Sequence, residues 1–305
     1  MVDVAVIMIN YNASEFTLKC IDSVMEKTSS EVSYQIIVTD NNSEFKDYES
    51  LKDNFPEDSR CTLLRSDVNT GFGGGNMFGA AVAQARYLLF LNNDALLIND
   101  CLSLLTRYMD THTNVGVCTA QNYNEHDQLV PSFDHNKGIR RLLFGRGFLE
   151  KINPKRYPKR KQEYSKPIAV DWVNGAFLFF RSEAFEAIDG FDTRIFLYWE
   201  EMDLCHRLKK IGYSTTLVPE AKILHYQGVS IGKSEAINKE AYRSYLYVTR
   251  KNFGFLKFVF IKVYLFIVLL LKPKKWYLLS TILKGGNMKN SLREKQEKRT
   301  YPQGS

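Results

Sequence analysis

Short apolar runs alternate with amphipathic segments through the first part of this 305-residue chain. Four runs have the length and composition of buried strands, at residues 4–9, 34–39, 61–65 and 87–91. Residues 14–27 and 73–86 have the apolar spacing or the alanine content of helices. Strands that alternate with helices are typical of a parallel sheet with crossover helices, so the pattern predicts an α/β fold.

Polar side chains follow two of these runs at the point where each run ends. Residues 40–43 (Asp-Asn-Asn-Ser) come after the second run, and residues 92–94 (Asn-Asn-Asp) come after the fourth. Parallel α/β sheets bind ligands beyond the carboxyl ends of their strands. We therefore expect a ligand site where these polar residues meet.

The rest of the chain is less regular. Residues 115–119, 170–180 and 214–218 have strand composition, and residues 222–225 lead into a glycine-containing loop. The basic stretch 137–166 contains prolines and is expected to be a long loop. From residue 237 onward the pattern is helical and increasingly apolar, and the charged residues after Asn290 are expected to be disordered.

An apolar segment near the C-terminus bears on membrane contact. Its longest uninterrupted run, residues 263–271, is much shorter than the roughly 20 residues that cross a bilayer. Residues 272–277 (Lys-Pro-Lys-Lys-Trp-Tyr) follow at once, as in a headgroup-level anchor. The pattern favours an interfacial helix. The alternative is a helix that packs on the catalytic core or on a second subunit, which leaves a homodimer open.

The net charge of +7 is unevenly distributed. Residues 137–166 carry eleven Lys and Arg against two Glu, and residues 272–299 carry nine against two. Two such basic segments suit anionic lipid headgroups or a phosphate-bearing substrate, although solvated loops would have the same composition. A nucleic-acid partner is not expected, because neither segment has the aromatic spacing of a single-strand platform.

Cysteine usage indicates a reducing compartment. The five cysteines are scattered and form no CxxC pair, which argues against a disulfide framework or a zinc site. The apolar run at residues 4–9 is too short for a signal peptide. A cytosolic protein is therefore expected.

Two motifs have the chemistry of a phosphate and metal site. Asp94 at a strand end is a candidate ligand of a divalent cation such as Mg²⁺, which prefers oxygen ligands. Residues 69–76 (Asn-Thr-Gly-Phe-Gly-Gly-Gly-Asn) would let backbone approach an anionic ligand at a helix start. This segment is neither a dinucleotide fingerprint, because Asn76 stands at its last glycine, nor a P-loop, because no lysine follows.

An acidic cluster supplies a candidate general base. Glu200, Glu201 and Asp203 lie beside Tyr198 and Trp199. A carboxylate near apolar rings is a stronger base because its charged form is less well solvated, and an acceptor hydroxyl needs such a base. Solvent-exposed acids at a helix start are the alternative. His225, at the end of a strand and before a glycine-containing loop, is a candidate metal or diphosphate ligand.

Together and in this order, the motifs resemble family 2 glycosyltransferases of the GT-A fold, and among them the bacterial rhamnosyltransferase-like branch. The resemblance covers roughly residues 4–232. It implies donor binding by the first strand end, the second strand end, the glycine segment and the metal motif: Asn10, Tyr11, Asn12, Asp40, Asn42, Asn69, Gly71, Phe72, Gly73, Gly74, Asn76, Asn92 and Asn93. It implies acceptor binding by Trp172, Asn174, Gly175 and Arg207. It also implies that Asp94 and His225 hold Mg²⁺ or Mn²⁺, and that the loop containing Gly228 and Ser230 assists.

The resemblance implies an inverting transfer in which one acid removes the acceptor proton. Glu201 aligns with the usual base, but the family commonly has Glu-Asp where this chain has Glu200 and Glu201, so Glu200 and Asp203 stay candidates. The metal motif has Asn92 where many members have a carboxylate. A sugar-phosphate nucleotidyltransferase would want a lysine or arginine in the glycine segment, which has neither; a non-catalytic binder would not need the acidic cluster.

The implied organisation has three parts. Residues 1–235 form the catalytic domain, with a nucleotide-sugar half (1–120) and an acceptor half (121–235). Residues 236–290 form a helical, membrane-associating appendage, and residues 291–305 a disordered tail. The implied donor is a nucleotide-diphosphate sugar, with dTDP-rhamnose the first choice and UDP-sugars the alternative. The implied acceptor is a polyprenyl-diphosphate-linked saccharide of O-antigen or capsule assembly. The third implied partner is the anionic inner face of the bacterial cell membrane.

Overall fold

Strands and helices alternate in the computed structural model, which describes residues 1–226 and 234–298. The strands are β1 (Val2–Asn10), β2 (Tyr34–Asp40), β3 (Cys61–Arg65), β4 (Ala85–Leu91), β5 (Ala95–Leu97), β6 (Val115–Tyr123), β7 (Leu129–Val130), β8 (Phe133–Asp134), β9 (Ile168–Ala169), β10 (Trp172–Val173), β11 (Phe177–Arg181) and β12 (Ser214–His225). The α-helices are α1 (Ser14–Lys27), α2 (Phe45–Asp53), α3 (Gly71–Ala80), α4 (Cys101–Thr111), α5 (Ile139–Phe144), α6 (Arg146–Ile152), α7 (Ser182–Glu186), α8 (Glu200–Lys210), α9 (Glu235–Phe253), α10 (Phe255–Leu270) and α11 (Leu279–Lys284).

One large sheet organises the chain, in the order β3-β2-β1-β4-β11-β6-β12-β5. Strands β3, β2, β1 and β4 are mutually parallel, and β6 is parallel to β12. Strand β11 is antiparallel to both β4 and β6, so it joins the two parallel parts. The register pairs Asn10 with Asp40, which places the carboxyl ends of β1 and β2 side by side. The expected α/β fold with a mostly parallel sheet is confirmed.

The core lies on both faces of this sheet because successive strand residues point to opposite sides. In β1, Val4, Val6 and Met8 pack in one apolar layer with α1 and α4. Ala5 and Ile7 pack in the opposite layer, which α7 and α8 help to close. Each fully buried side chain of this size contributes about 1.5–3 kcal/mol of transfer free energy. Strands buried on both faces therefore carry near-continuous apolar runs, as the sequence showed.

A third apolar cluster joins the C-terminal helices to the catalytic part. Tyr245 of α9 and Ile261 of α10 pack with Ile195, which precedes α8, and with Met202 in the first turn of α8. The opposite side of α10 leaves Leu256 83% and Ile267 53% exposed. In the two described ranges, no helix combines the length and apolar character needed to cross a membrane.

Five expectations about elements need correction. The basic stretch 137–166 contains two helices, α5 and α6, separated at Gly145, whose φ is +76°. Residues 170–180 form two strands, because the turn at residues 174–176 interrupts them, whereas β12 runs unbroken from 214 to 225. The glycine helix begins at Gly71 and ends at Ala80, so Arg86 belongs to β4.

The tail is the fifth correction, because residues 291–298 are packed rather than disordered. Glu240 on α9 is fully buried and accepts hydrogen bonds from the Ser291 hydroxyl and, at 3.0 Å, the Leu292 N–H. The Asn42 amide donates to the carbonyl oxygen of Glu297 at 3.1 Å. A buried acceptor on another helix fixes this charged segment, and local charge gave no sign of it. Residues 299–305 lie outside the described part, as do Gly228 and Ser230.

Candidate active site

An open cleft of about 910 Å³ lies beyond the carboxyl ends of β1 and β4 and against the start of α8. Many of the residues singled out by sequence line it: Tyr11, Asn69, Gly71, Phe72, Asn76, Asn92, Asn93, Asp94, Trp172, Asn174, Gly175, Glu200, Glu201 and His225. The metal motif, the glycine segment and the acidic pair therefore share one cavity although they are far apart in the chain.

Asp94 and His225 form a close pair at the bottom of the cleft. Strand β12 pairs with β5 so that His225 lies opposite Ala95, and the Tyr226 N–H donates to the Asp94 carbonyl at 3.0 Å. The pairing brings His225 Nε2 to 3.3 Å from Asp94 Oδ1, and both side chains are about 90% buried. A carboxylate oxygen and an imidazole nitrogen this close suit a shared divalent cation.

Asp94 and His225 would supply only part of a metal coordination shell. Across residues 1–226 and 234–298, no group of three or more His, Cys, Asp or Glu side chains is arranged to hold a metal ion. Mg²⁺ usually keeps one or two protein carboxylates and takes its remaining ligands from substrate phosphates and water. The pair of Asp94 and His225 fits that pattern.

The first two strand ends support the cleft but contribute few of its walls. The Asn10 amide donates to Asp40 Oδ1 at 3.0 Å, to Ser43 Oγ at 3.1 Å and to Asp47 Oδ2 at 2.9 Å. Asn10 and Asp40 are fully buried. These two residues are among those the sequence assigned to the donor, together with Asn12 and Asn42, and none of the four is among the residues that line the cleft.

Asn41, which belongs to the polar segment 40–43 but was not among the residues assigned to the donor, lines the cleft between those residues. Its amide donates to Asn69 Oδ1 and to the Gly71 carbonyl, each at 3.1 Å, and its carbonyl oxygen accepts the Thr70 N–H at 3.0 Å. Asn41 thus ties the end of β2 to the glycine segment. Its direct neighbours in the sequence are all polar, so nothing local singled it out.

The glycines of α3 chiefly allow close packing within the protein. A Cβ atom at Gly71, whose φ is +76°, would lie 2.2 Å from the Phe196 carbonyl oxygen, which accepts the Phe72 N–H at 2.9 Å. A Cβ atom at Gly79 would lie 2.7 Å from Ile7. Gly73 and Gly74 face the protein's own residues and do not line the cleft. The segment therefore places Asn69, Gly71 and Phe72 at the cleft by packing α3 tightly against β1.

Glu200 and Glu201 enter the cleft from the first turn of α8. The two preceding residues, Tyr198 and Trp199, have φ values of 70° and 75°, a conformation that is costly for bulky side chains and is concentrated at functional sites. A Cβ atom at Gly175 would lie 2.3 Å from Glu201 Oε1, so a larger residue there would displace this carboxylate.

Burial controls the protonation of this pair. It raises the pKa of Glu201 above its usual value, while hydrogen bonds from the backbone N–H groups of Glu201 and Gly175 oppose the shift. Burial and then the charge of Glu201 raise the pKa of Glu200 well above its usual value. Glu200 Oε1 is buried and has no hydrogen-bond partner among the described residues. The two backbone donors favour the ionised form of Glu201, whereas burial and the neighbouring charge favour the protonated form of Glu200.

Asp203 and Arg207, also predicted as site residues, point away from the cleft. Asp203 is fully buried and accepts from Arg207 Nε at 2.8 Å, from Asn252 Nδ2 at 2.8 Å and from Lys251 Nζ at 3.0 Å. These contacts join α8 to α9. The structure thus brings two of the three candidate acids to the cleft and places the third in a helix–helix contact.

Replacing Glu200 with Gln should change how stability depends on pH. The folded state keeps the Glu200 proton above about pH 4.5, where the unfolded chain has lost it, so the free energy of unfolding falls as the pH rises through that window. Glu200→Gln has no such proton. Its stability relative to wild type should rise by about 1.4 kcal/mol per pH unit between about pH 4.5 and the folded pKa, measured by urea unfolding. Glu183→Gln, at an exposed side chain, is the matched control; parallel curves for both variants would contradict this assignment.

Sequence comparisons identify the family. The family model described as Glycosyl transferase family 2 matches residues 5–188. Rhamnosyltransferase WbbL of Escherichia coli K12 is 27% identical over 234 residues, which are 73% of this chain and 83% of that protein. The N-acetylglucosaminyl-diphospho-decaprenol L-rhamnosyltransferase of Mycobacterium tuberculosis is 38% identical over 79 residues, 26% of each chain.

Structure comparisons agree on the fold. The crystal structure of GalNAc-T7 with UDP, GalNAc and Mn²⁺ aligns with this chain at a TM-score of 0.61 and 14% identity. The alignment covers 82% of this chain and 48% of the GalNAc-T7 chain. The structure of S. aureus TarS 1–349 aligns at a TM-score of 0.55 and 12% identity. This alignment covers 82% of this chain and 66% of the TarS chain. The chain belongs to glycosyl transferase family 2 and has the GT-A fold.

Proposed function

We propose that this glycosyltransferase moves a sugar, with inversion, from a nucleotide-diphosphate donor to a hydroxyl of a lipid-linked saccharide of a cell-surface polysaccharide. The observation that carries the proposal is the convergence of Glu201 with the Asp94–His225 pair on the cleft that Gly71 also lines. A base for the acceptor and a site for the leaving diphosphate are the two elements that a single displacement needs.

Glu201 acts as the general base. Its raised pKa, caused by burial, makes its ionised form a stronger proton acceptor than an exposed glutamate. The acceptor hydroxyl gives its proton to Glu201 as its oxygen bonds to the anomeric carbon. The bond from that carbon to the donor diphosphate breaks, and the nucleoside diphosphate leaves with the electron pair. Asp94 and His225 would hold Mg²⁺ or Mn²⁺, which when bound neutralises charge on the diphosphate.

The relatives favour rhamnose as the transferred sugar. Both curated relatives described above are named as rhamnosyltransferases, which supports dTDP-rhamnose as the donor. A UDP-sugar with galactose, galactofuranose or glucose is the alternative within the same chemistry. A nucleotidyltransferase is disfavoured, because residues 71–76 contain no lysine or arginine to bind the phosphates of a nucleoside triphosphate.

The acceptor is proposed to be anchored in a membrane. The mycobacterial relative is named for a diphospho-decaprenol substrate, which is membrane-bound. Helix α10 exposes Leu256, Val263 and Ile267, and lysines lie on both sides of this apolar surface at positions 257, 262, 272, 274 and 275. An apolar helix face with flanking basic residues suits the anionic inner face of the bacterial membrane.

Replacing Glu201 with Gln should lower kcat by about 10²–10⁴-fold and leave the donor dissociation constant within about twofold of wild type, because only proton transfer is lost. Turnover is measured as nucleoside diphosphate release in the presence of acceptor, and donor binding by calorimetry. The comparison is Glu200→Gln, expected to lower kcat by less than tenfold. Equal turnover of Glu201→Gln and wild type would refute the assignment of the base, and a larger loss in Glu200→Gln would move it to Glu200.

Asp94→Ala should weaken binding of the nucleoside diphosphate in Mn²⁺ by about tenfold or more, because the proposed cation then loses its carboxylate ligand. In EDTA the variant and wild type should bind equally weakly. Asp67→Ala, in the loop before the glycine segment, is the control and should keep the Mn²⁺ effect. A wild-type enzyme whose nucleotide affinity and turnover do not respond to Mg²⁺ or Mn²⁺ would rule out the metal role.

Replacing Leu256 and Ile267 together with Ser should abolish co-flotation with phosphatidylglycerol vesicles, because both side chains lie on the exposed face of α10. Phe78→Ser, on the distant helix α3, is the matched control and should float like wild type. Circular dichroism checks that each variant is folded. Unchanged flotation of the double variant would show that α10 does not contact lipid.

A further inference from the structure

Three arginines converge on one carboxylate at the acceptor side of the cleft. Asp134 Oδ2 lies 2.9 Å from Arg141 Nη2, 2.9 Å from Arg160 Nη1 and 3.3 Å from Arg146 Nη2. Lys137 lies beside them, with Nζ 4.9 Å from the ring centre of Trp199. We call Lys137, Arg141, Arg146 and Arg160 the cationic cluster. Its members come from the basic stretch that the sequence predicted to be a loop.

The cationic cluster has more positive charge than the acids around it can balance. Asp134 is shared by the three arginines, and Glu150, the next acid, lies 3.4 Å from His135. Asp171 is taken by Arg156 at 2.9 Å. Burial, followed by the charge of Arg141, lowers the pKa of Lys137 to about 8. Four cationic groups against two acids leave an anion-attracting surplus.

Some donors of the cationic cluster also lack acceptors. The Nε atoms of Arg146 and Arg160 are buried and have no hydrogen-bond partner within the described ranges. A buried donor without an acceptor and a surplus of buried charge are both costly. An anionic ligand in the cleft would contact Arg160 and offset the surplus of charge, since arginine donors match phosphate oxygens well.

The cationic cluster and the proposed metal pair come from different elements of the fold. Arg160, Asp134 and Trp172 line the same cleft as Glu201, and Arg160 is the one arginine or lysine among the lining residues of the described chain. The proposed metal pair, Asp94 and His225, is held by β5 and β12. Arg160 and the metal pair therefore offer different means of binding phosphate in one cleft.

An apolar ledge begins where the cationic cluster ends. The helices that carry Arg141 and Arg146 expose Leu143, Phe144, Phe148 and Ile152. The rings of Phe144 and Phe148 stack with centres 5.9 Å apart. The Tyr264 hydroxyl of α10 donates to the Leu142 carbonyl at 2.8 Å, so the ledge adjoins the proposed membrane-facing helix.

We propose that the cationic cluster binds the diphosphate of the lipid-linked acceptor and that the ledge receives the first isoprene units. This assignment rests on the proposed function, and it specifies which part of the acceptor the protein recognises. With the diphosphate at Arg160 and the lipid on α5 and α6, the attached sugar extends into the cleft toward Glu201. Anionic lipid headgroups share the phosphate chemistry, so the test must separate the two ligands.

Farnesyl diphosphate in EDTA is a probe of the cationic cluster that requires neither the metal nor catalysis. Arg160→Gln should weaken its binding by about 10- to 100-fold in calorimetry, as expected when a hydrogen bond between charged groups is lost. Asp134 keeps Arg141 and Arg146 as partners, so the fold should survive, and thermal unfolding checks this. Arg146→Gln, at a more exposed side chain, is a second variant and should act in the same direction.

Two controls locate the bound probe. Arg140→Gln removes the same charge from an exposed position on α5 and should bind farnesyl diphosphate within about twofold of wild type. Excess dTDP, which should occupy the donor site, should not displace the probe. Unchanged binding by both Arg160→Gln and Arg146→Gln would overturn the proposal. Displacement of the probe by dTDP would also overturn it, because the probe would then occupy the donor site.

Vesicles and a second acceptor complete the test. Arg160→Gln should bind phosphatidylglycerol vesicles like wild type; loss of vesicle binding with unchanged farnesyl diphosphate binding would assign the cluster to headgroups instead. For transfer, Arg160→Gln should raise KM for a lipid-diphosphate saccharide but not for an alkyl glycoside of the same sugar. An equal rise for both acceptors would overturn the subsite. No transfer to either acceptor by wild type would refute the proposed function, while the EDTA binding result would still decide the subsite.

Discussion

The burial of two adjacent carboxylates at the start of α8 is the constraint on which the site depends. Burial disfavours the charged form of both acids, and a charge on Glu201 disfavours a second charge on Glu200, so the fold must supply structure that holds them there. Trp199, in a left-handed conformation, provides part of it: its Nε1 donates to the Ala241 carbonyl at 2.9 Å, and its ring lies 4.8 Å from that of Tyr245. The C-terminal helices therefore help to fix the proposed base, whatever else they contact.

Local sequence patterns predicted the fold because each pattern depends on which face of a single helix or strand is buried. The bounds expected for α1 and β3 are those observed, since helical spacing and a short apolar run follow directly from one buried face. Helices α5 and α6 were missed because they are short and lie in a stretch that is rich in positive charge and contains prolines beyond α6. Their folding depends on contacts far along the chain, such as that between Tyr264 and Leu142. The segment at residues 291–298 escaped for the same reason, because its partner Glu240 lies on another helix.

The site was predictable where topology brings strand ends together and unpredictable where side-chain direction decides. Asp94 and Gly71 follow from the rule that ligands bind at the carboxyl ends of parallel strands. Asp203 lies two residues beyond Glu201, which on a helix is a rotation of about 200°, so it faces α9 instead of the cleft. Asn41 lines the cleft, whereas the neighbouring Asp40 is hydrogen-bonded to Asn10 and does not line it. Which of two adjacent polar side chains reaches the cleft cannot be told from the sequence.

The proposed assignment gives the two diphosphates of the reaction different binding chemistry. At the donor end, Asp94 and His225 supply one carboxylate and one imidazole, so a mobile cation would carry most of the positive charge. At the acceptor end, fixed arginines supply it directly. A diphosphate that gains charge as it leaves benefits from a ligand that can depart with it. A diphosphate that must only hold an acceptor in register with Glu201 is better served by side chains that stay in place.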